Sequence, residues 1–298
     1  MSVPASGPIS LTDIQAEFGG SSPISLSEYY KGGAYVSVTD YAPNVPTSGT
    51  ISLSDFYGAA KTQVYTYTYT SNTVITLPST FQGVLTVSAL GGGGGSGGDD
   101  AGRQGYAGYP GLIANGTISA NPGDVVVISV GGGGGLGASN APLANPGAGG
   151  SSSVGYTGGR GGRAGGSGAS GAGGGGGAAT VVQVGGTIKV VAAGGGGGGG
   201  SGLNSWGMGN QNNPGTNGTI YGGQGLDKGG DGGGGGGGGG GQNGGVGGLD
   251  PGGDVGAYSG ENGNCLVPAG GSVSTGSNGG PHGSAGSAGS VTISYYAV

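Results

Sequence analysis

DGGGGGGGGGGQ, residues 231–242, is the stretch that decides the fold of this chain. Its ten consecutive glycines, at residues 232–241, form the longest of five pure glycine runs. The other four runs occupy residues 91–95, 131–135, 173–177 and 194–200, and glycine makes up 90 of the 298 residues. Glycine has no side chain to bury and loses more conformational freedom on ordering than any other residue. A single run is therefore expected to be a flexible linker, and an ordered run needs partners.

The cost of ordering glycine shows what those partners must supply. Fixing the backbone costs about 1–2 kcal/mol per residue, whereas a hydrogen bond returns only about 0.5–1.5 kcal/mol net. The hydrogen bonds come closest to offsetting the cost of ordering when each run bonds to several neighbouring runs and a rigid frame holds their ends. Polyproline II geometry suits such packing, because it has three residues per turn and its N–H and C=O groups point outward. Collagen is excluded, since the chain lacks a strict Gly-X-Y period and has only 14 prolines. Disorder stays the alternative for any run taken alone.

A set of predicted β-strands provides the frame. The alternation of Tyr and Thr over residues 65–70 is typical of a half-buried strand. Further strands are predicted at residues 73–77, 84–90, 112–119, 124–130, 180–184, 187–193 and 291–297. Three of these strands end directly at a glycine run, after Leu90, Val130 and Ala193. We therefore expect a mostly β protein, a jelly-roll-like β-sandwich whose strands continue out of one end as stacked polyglycine-II helices.

The first sixty residues carry a different, threefold repeat. Each copy has a serine followed three residues later by an acid: Ser10 and Asp13, Ser25 and Glu28, Ser52 and Asp55. This spacing, with flanking apolar residues, is a capping box with a hydrophobic staple and predicts a helix start. Glycines at Gly19, Gly32 and Gly58 are expected to end each helix after two or three turns. Because such short helices need packing, we predict an N-terminal anchor at 1–60 and a separate domain at 61–298. The alternative is that the helices plug one end of the sandwich.

Composition excludes several classes of function. Only 7 Lys and Arg and 13 Asp and Glu are present, which gives a net charge of −6. Such a neutral surface argues against binding to nucleic acid or to a membrane surface. The opening MSVPASGPIS lacks the basic and apolar regions of a signal peptide, and no apolar stretch reaches membrane-spanning length. We therefore expect no membrane insertion and synthesis in a cytoplasm.

Residues that carry chemistry are scarce. His282 is the single histidine and Cys265 the single cysteine, and nothing in their spacing indicates a catalytic pair. The many GxGxxG matches follow from composition and do not open a helix after a strand, so no dinucleotide site is predicted. Four aspartates among glycines leave a cation site as an alternative: Asp227, Asp231, Asp250 and Asp254. They lack the repeated apolar position of calcium-binding glycine repeats. We expect no enzyme, no cofactor and no resident metal.

Aromatic and amide residues are concentrated between the glycine runs. The segments concerned are residues 99–110, 136–148, 201–228 and 249–268, which we expect to gather as loops at the far ends of the runs. Exposed aromatic rings beside amides are suited to stacking on sugar rings or to filling a protein pocket. The predicted receptor-binding residues are Tyr106, Tyr109, Trp206, Met208, Tyr221 and Tyr258. The alternative is that they cover the open end of the glycine runs.

The order of these motifs along the chain is shared with a known family. A Val/Thr strand enters the run at 91–95; Asn-Pro-Gly-Asp at 121–124 precedes a strand and the run at 131–135; Gly-Ser-Ala-Gly-Ser-Val-Thr-Ile closes the region at 286–293. From about Tyr65 to Val298 the chain resembles the glycine-rich domain of bacteriophage tail proteins. The Ile-Ser-Leu-Ser-Glu-Tyr-Tyr repeat is similar to N-terminal segments of phage virion proteins. A related sandwich occurs in animal receptor kinases, whose cysteines and secretion signal are missing here.

The resemblance implies a function, which we state as an expectation. The protein would be a virion component of a phage tail fibre or tail tip, made in the host cytoplasm. Its loops would bind a host surface glycan or outer-membrane protein, and residues 1–60 would bind other tail proteins in a homo-oligomer, with a trimer favoured. One alternative is a purely structural virion protein, such as a capsid decoration or neck protein. Another is an extracellular glycine-rich structural protein, against which the sandwich strands argue.

Overall fold

The computed structural model describes residues 2–141, 143–165, 170–209, 222–227 and 232–298. Within them the protein is mostly β, with two antiparallel sheets and one α-helix, α1, at Leu11–Phe18. The strands are β1 (Gln63–Tyr69), β2 (Thr73–Thr76), β3 (Phe81–Leu90), β4 (Leu112–Ser119), β5 (Val125–Ser129), β6 (Thr180–Val184), β7 (Thr187–Ala192), β8 (Ser272–Thr275) and β9 (Ser290–Ala297). The five-stranded sheet has the order β1-β9-β3-β4-β8, and the four-stranded sheet has the order β2-β5-β6-β7.

The eight predicted strands are confirmed as β1 to β7 and β9, with bounds that differ by a few residues at most. The strand missing from the prediction is β8. All four of its residues are exposed, so it has no alternation of buried and exposed positions for a sequence pattern to register. It forms because β4 offers it a free edge: Leu112 pairs with Thr275, and Asn115 pairs with Ser272.

One hydrophobic cluster contains side chains from both sheets. The five-stranded sheet contributes alternate residues of β3 and β9, such as Leu85, Val87 and Ile293, which are fully buried. The four-stranded sheet contributes Val126 and Val190 among others. The buried residues follow the period of two that a strand imposes, so the inward faces of the two sheets share this core.

The N-terminal residues form a second cluster, called here the N-terminal cluster. Its buried members are Val3, Ile14, Phe18, Tyr29, Val36, Ala42, Val45, Phe56 and Ala59. Only the first predicted helix reaches two turns. The other two are single 3₁₀ turns at Leu26–Glu28 and Leu53–Phe56. Gly58 and Gly32, both with positive φ, lie six and seven residues after the capping serines, whereas Gly19 lies nine residues after Ser10. Less chain is therefore available for these two helices, and the turn at Leu26–Glu28 ends well before Gly32.

Strands β3, β5 and β7 lead into glycine runs, as the sequence indicates. We use the name glycine layer for the hydrogen-bonded glycine-rich segments outside the strands: 91–98, 105–111, 131–138, 147–151, 158–165, 171–179, 194–201, 222–226, 232–241, 244–248, 255–264 and 276–289. All ten glycines of the run at 232–241 are buried. No helix in the described part of the chain has the length and apolar character needed to cross a membrane.

Candidate functional site

The hydrogen bonds of the glycine layer repeat every three residues. In the segment 91–98, the N–H groups of Gly92, Gly95 and Gly98 all donate to residues 172–178, over 2.8–2.9 Å. The two other registers of the same segment donate to residues 106–112 and 284–287. Three neighbours therefore receive its donors in strict rotation, one after the other along the segment.

The run at 232–241 is enclosed on every side. Its N–H groups donate in turn to residues 171–177, 223–226 and 255–261, and its carbonyls accept from residues 159–165, 194–200 and 245–248. Six different segments thus surround a single run. Because buried backbone groups must be paired to avoid a desolvation penalty, this arrangement satisfies the run without any side chain.

Close approach explains why these positions are glycine. A Cβ atom built on Gly236 would collide with the carbonyl oxygen of Gly197, and one on Gly134 with the carbonyl oxygen of Gly175. The same holds at Gly105 and Gly108, which face the segment 91–98. Gly105 and Gly108 are three residues apart, and this spacing indicates that residues 105–111 belong to the glycine layer. Our sequence analysis did not use it.

The far ends of the segments are tied together by polar contacts. Asp99 anchors one group of turns: its N–H donates to Ser139 Oγ at 2.8 Å, and its Oδ1 lies 2.7 Å from His282 Nε2. A second group of turns is held by the side chain of Arg103, which donates to the carbonyl of Leu203. The N–H of Asn204 then donates to the carbonyl of Asp254 at 2.8 Å. Turns from four of the predicted loop segments therefore meet at one end of the layer.

Tyr106 and Tyr109 lie within segment 105–111 of the glycine layer, where we had expected a loop at the far end of the runs. Their N–H groups donate to the carbonyls of Gly199 and Gly196, at 2.8 Å in each case. Their rings are neighbours, with centroids 5.9 Å apart. Every third residue of this segment, here Gly105 and Gly108, packs against the backbone of residues 91–98. The tyrosine side chains lie between these positions and therefore project away from that backbone. Tyr106 is 39% exposed, whereas Tyr109 is half-buried.

Trp206 and Met208 lie on a short extended segment next to these tyrosines. On one side of this segment, the N–H of Gly207 donates to the carbonyl of Gln104, which precedes Tyr106, at 3.0 Å. On the other side Met208 pairs with Tyr258 in a parallel bridge, and its N–H donates to Ala257 at 2.9 Å. Trp206 is 55% exposed, whereas Met208 and Tyr258 are half-buried. The structure thus brings together five of the six predicted binding residues.

Two points complete this surface. Tyr221, the sixth predicted residue, lies outside the described residues, as do Asn210 and its neighbours up to residue 220. Leu203 is 42% exposed at the turn before Trp206, and the sequence analysis did not single it out. We use the name aromatic surface for Leu203, Trp206, Met208, Tyr106, Tyr109 and Tyr258.

The predicted capping residues all lie at helix starts. The carboxylates of Asp13, Glu28 and Asp55 accept the N–H of the capping serine, at 2.8, 3.1 and 2.8 Å respectively. Ser10 Oγ also donates to Asp13 at 2.7 Å and accepts the Asp13 N–H at 3.3 Å. These hydrogen bonds hold the pKa of Asp13 below its ordinary value, with the side chain of Ser10 as the larger cause.

Cys265 and His282 have separate surroundings. Cys265 Sγ accepts the N–H of Ala193 at 3.3 Å beside the sheets, and burial raises the pKa of its thiol. A protonated thiol is a poor nucleophile. His282 contacts Asp99, which follows the segment 91–98 at its other end. The two side chains therefore do not form a nucleophile and base pair.

Two of the four aspartates proposed as an alternative cation site, Asp227 and Asp250, accept hydrogen bonds elsewhere. Asp227 Oδ1 accepts from Arg160 Nη2 at 3.1 Å and from the N–H of Arg163 at 2.8 Å. Asp250 Oδ1 accepts the N–H of Gly252 at 2.9 Å, and Asp231 lies outside the described residues. Among the residues that the structure describes, no group of three or more His, Cys, Asp or Glu could hold a metal ion.

No family model and no curated protein matches this chain.

Proposed function

We propose that this protein is a phage virion protein of the tail fibre or tail tip, and that its aromatic surface contacts the host cell. In this proposal the two sheets form a jelly-roll-like sandwich, and the glycine layer is a stack of polyglycine-II helices that carries the aromatic surface away from the sheets. Residues 1–60 join the protein to other tail proteins. The proposal includes no enzymatic activity, cofactor or nucleic acid.

The observation that supports polyglycine-II helices is the rotation of hydrogen bonds with a period of three. Polyproline II geometry has three residues per turn and leaves N–H and C=O groups pointing outward. A run with six neighbours, such as residues 232–241, is what hexagonal packing of such helices predicts. The shared core of the two sheets supports the sandwich in the same way.

The chemistry of the aromatic surface supports a binding role. Trp206 and Leu203 are 55% and 42% exposed although both are apolar, and Tyr106 is 39% exposed beside them. Exposed apolar residues gathered in one patch are typical of interaction sites. A hydrogen-bonded layer beneath them fixes the backbone before binding, which reduces the entropy lost when a partner binds. A rigid, uncharged, aromatic surface suits a sugar or a protein loop as the ligand.

The test is Trp206→Ala, measured by adsorption of the phage or of the purified protein to host cells. We expect adsorption to fall while the thermal unfolding midpoint stays near that of the wild type, because the exposed ring contributes little to folding. Tyr106→Ala is expected to act in the same direction. Tyr296→Ala is the matched control, since Tyr296 is also 39% exposed but lies on β9, and we expect it to leave adsorption unchanged.

Two outcomes would contradict this role. If Trp206→Ala lowers the unfolding midpoint and leaves adsorption unchanged, Trp206 is a cover for the layer. If electron microscopy of the particle places the protein on the capsid or neck, the purely structural alternative is correct. Deletion of residues 1–60 tests the anchor separately: we expect a folded remainder that no longer joins the particle.

A further inference from the structure

The strands at the sheet edges differ in how they are protected. Edge strands β2 and β8 have only four residues each. Edge strand β7 is covered at Val191, which exchanges two backbone hydrogen bonds of 2.9 Å with Leu266. The remaining edge, β1, has seven residues, and within the described chain its ladder hydrogen bonds go to β9 alone. Long, open edges are usually blunted by charge, proline or bulges, because they pair readily with other strands.

None of these protective features occurs on β1. The sequence from Thr62 to Gly98 contains no charged residue, and the first proline after β1 is Pro78. The register with β9 runs from Gln63 to Tyr69 without a shift. In the pairing of β1 with a second copy of itself, this uninterrupted, uncharged edge therefore places no like charges opposite each other.

The side chains of β1 are already paired with residues of the same kinds inside the chain. The ring of Tyr65 stacks on that of Tyr295, with centroids 5.7 Å apart. On the other face Thr66 hydrogen-bonds to Ser294 at 2.9 Å, and Thr68 to Thr292 at 2.9 Å. Tyr-on-Tyr and Thr-on-Thr pairs across antiparallel strands are stabilising. The pattern of β1 can therefore pair with a strand that has the same pattern.

We propose that β1 is a self-association edge, at which two copies of this chain join by antiparallel pairing of β1 with β1 about Tyr67. In this register Tyr65 lies opposite Tyr69 of the second copy, Thr66 lies opposite Thr68, and Tyr67 lies opposite itself. The two five-stranded sheets become one continuous sheet. Tyr67, which is 43% exposed, is then covered by its own counterpart.

The expected strength of this dimer follows from its size. A standard stable interface buries about 800 Å² on each partner, and a single strand edge covers less than that. We therefore expect a dimer that dissociates on dilution. The pairing joins two copies, whereas the resemblance to tail proteins favours three. It is also independent of host adhesion, because a monomer that binds host cells would overturn the pairing and leave the proposed function standing.

The first experiment measures the mass of the full chain by analytical ultracentrifugation over a range of concentrations. The double variant Thr66→Lys, Thr68→Lys places lysines directly opposite each other in the proposed register, which is expected to raise the dissociation constant at least about tenfold. The control Thr86→Lys, Ser119→Lys adds the same charge to exposed positions of the same sheet, away from the edge. It is expected to dimerise like the wild type.

Charge exchange sharpens the result. Mixing the lysine variant with Thr66→Glu, Thr68→Glu is expected to restore the dimer, because each lysine then lies opposite a glutamate. A wild-type chain that is monomeric at every concentration would overturn the proposal. So would an oligomer, whether dimer or trimer, that survives the lysine substitutions in a chain that is still folded.

Cross-linking gives a second test that does not require the edge to be disrupted. In a Cys265→Ser background, Tyr67→Cys is expected to form an intermolecular disulfide on oxidation, since residue 67 is its own partner. Val64→Cys is the register control: Val64 is 58% exposed but lies opposite Thr70 of the second copy, so we expect no cross-link. Equal cross-linking of both variants, or of neither, would exclude this register.

Discussion

The N-terminal cluster and the glycine layer are two opposite ways to bury a polypeptide chain. In the cluster, large side chains such as Phe18, Tyr29 and Phe56 are buried almost completely, and their rings meet edge to face. In the glycine layer the buried groups at 232–241 are N–H and C=O, and the N–H groups of residues 233–240 all donate to neighbouring segments. The first region is stabilised by removing apolar area from water. The second is stabilised by satisfying the backbone and by dense packing of its atoms.

The difference teaches which substitutions each region tolerates. A side-chain core is damaged when atoms are removed, because a cavity remains. A glycine layer is damaged when atoms are added, because a Cβ at Gly236 or Gly134 would overlap a backbone oxygen that has no freedom to move aside. The two regions should therefore respond in opposite ways to changes in side-chain volume.

The largest effect is expected for Gly236→Val. The added side chain collides with the backbone at Gly197, so segments must separate and several hydrogen bonds of about 0.5–1.5 kcal/mol each are lost together. We expect destabilisation of at least about 3 kcal/mol, at or beyond the usual range for overpacking. The measurement is the free energy of unfolding in denaturant, together with hydrogen exchange of the glycine amides.

Gly132→Ala provides the matched control within the same layer. A Cβ on Gly132 has its nearest neighbours at 3.0 Å, the N and Oγ atoms of Ser151, and Ser151 is exposed. A small shift of that edge segment relieves the contact, so we expect a much smaller loss of stability. Equal stability of the Gly236→Val and wild-type proteins would mean that the run at 232–241 is not enclosed.

A separate effect, confined to the N-terminal residues, is expected for Phe56→Ala. Phe56 is fully buried in the N-terminal cluster between Phe18 and Tyr29, and removing such a ring typically costs about 3–5 kcal/mol. We expect residues 1–60 to become sensitive to protease while the amides of the glycine layer keep their protection. Simultaneous loss of protection in both regions would show that they unfold as one unit, contrary to the predicted domain boundary.

The smallest effect concerns the helix caps. Ser10 accepts and donates hydrogen bonds with Asp13, so Ser10→Ala should cost about 0.5–2 kcal/mol, the usual value for an N-cap. Ser52 caps only a single 3₁₀ turn, Leu53–Phe56, and its Oγ hydrogen-bonds to Ser54 Oγ at 2.8 Å, so Ser52→Ala should cost less. Urea unfolding monitored by protease sensitivity of the N-terminal residues distinguishes the two variants, and an equal loss in both would contradict the role of the cap.

The same cap gives a pH dependence with a defined sign. The pKa of Asp13 is lower in the folded protein than its ordinary value of 3.8, so the carboxylate stabilises the fold above that value. Its contribution is lost as the pH falls through the lowered pKa. We expect Asp13→Asn to flatten the acid side of the stability profile of α1, as followed by circular dichroism, and to leave the profile near neutral pH with the same slope.

Sequence patterns predicted the strands well, because a strand with one buried face must alternate and a strand that ends where a glycine run begins has a clear boundary. They also located the three capping serines, since capping is a local interaction over three residues. They failed at β8, whose four exposed residues form a strand only because β4 offers an edge. They also placed Tyr106 and Tyr109 in a loop, although the glycines at 105, 108 and 111 carry a period of three.

By itself the sequence determined that this chain would be mostly β, that its N-terminal residues would form short capped helices, and that the rest would contain long glycine runs. These properties depend on neighbours along the chain and on composition. Only the tertiary structure decided which segments surround residues 232–241, and how Trp206 comes to lie between the segments of Tyr106 and Tyr258. Glycines are identical to one another, so no pattern in the sequence distinguishes their partners. The sheets fix the start and direction of the three segments that continue from β3, β5 and β7, and the other segments pack around those three through backbone hydrogen bonds.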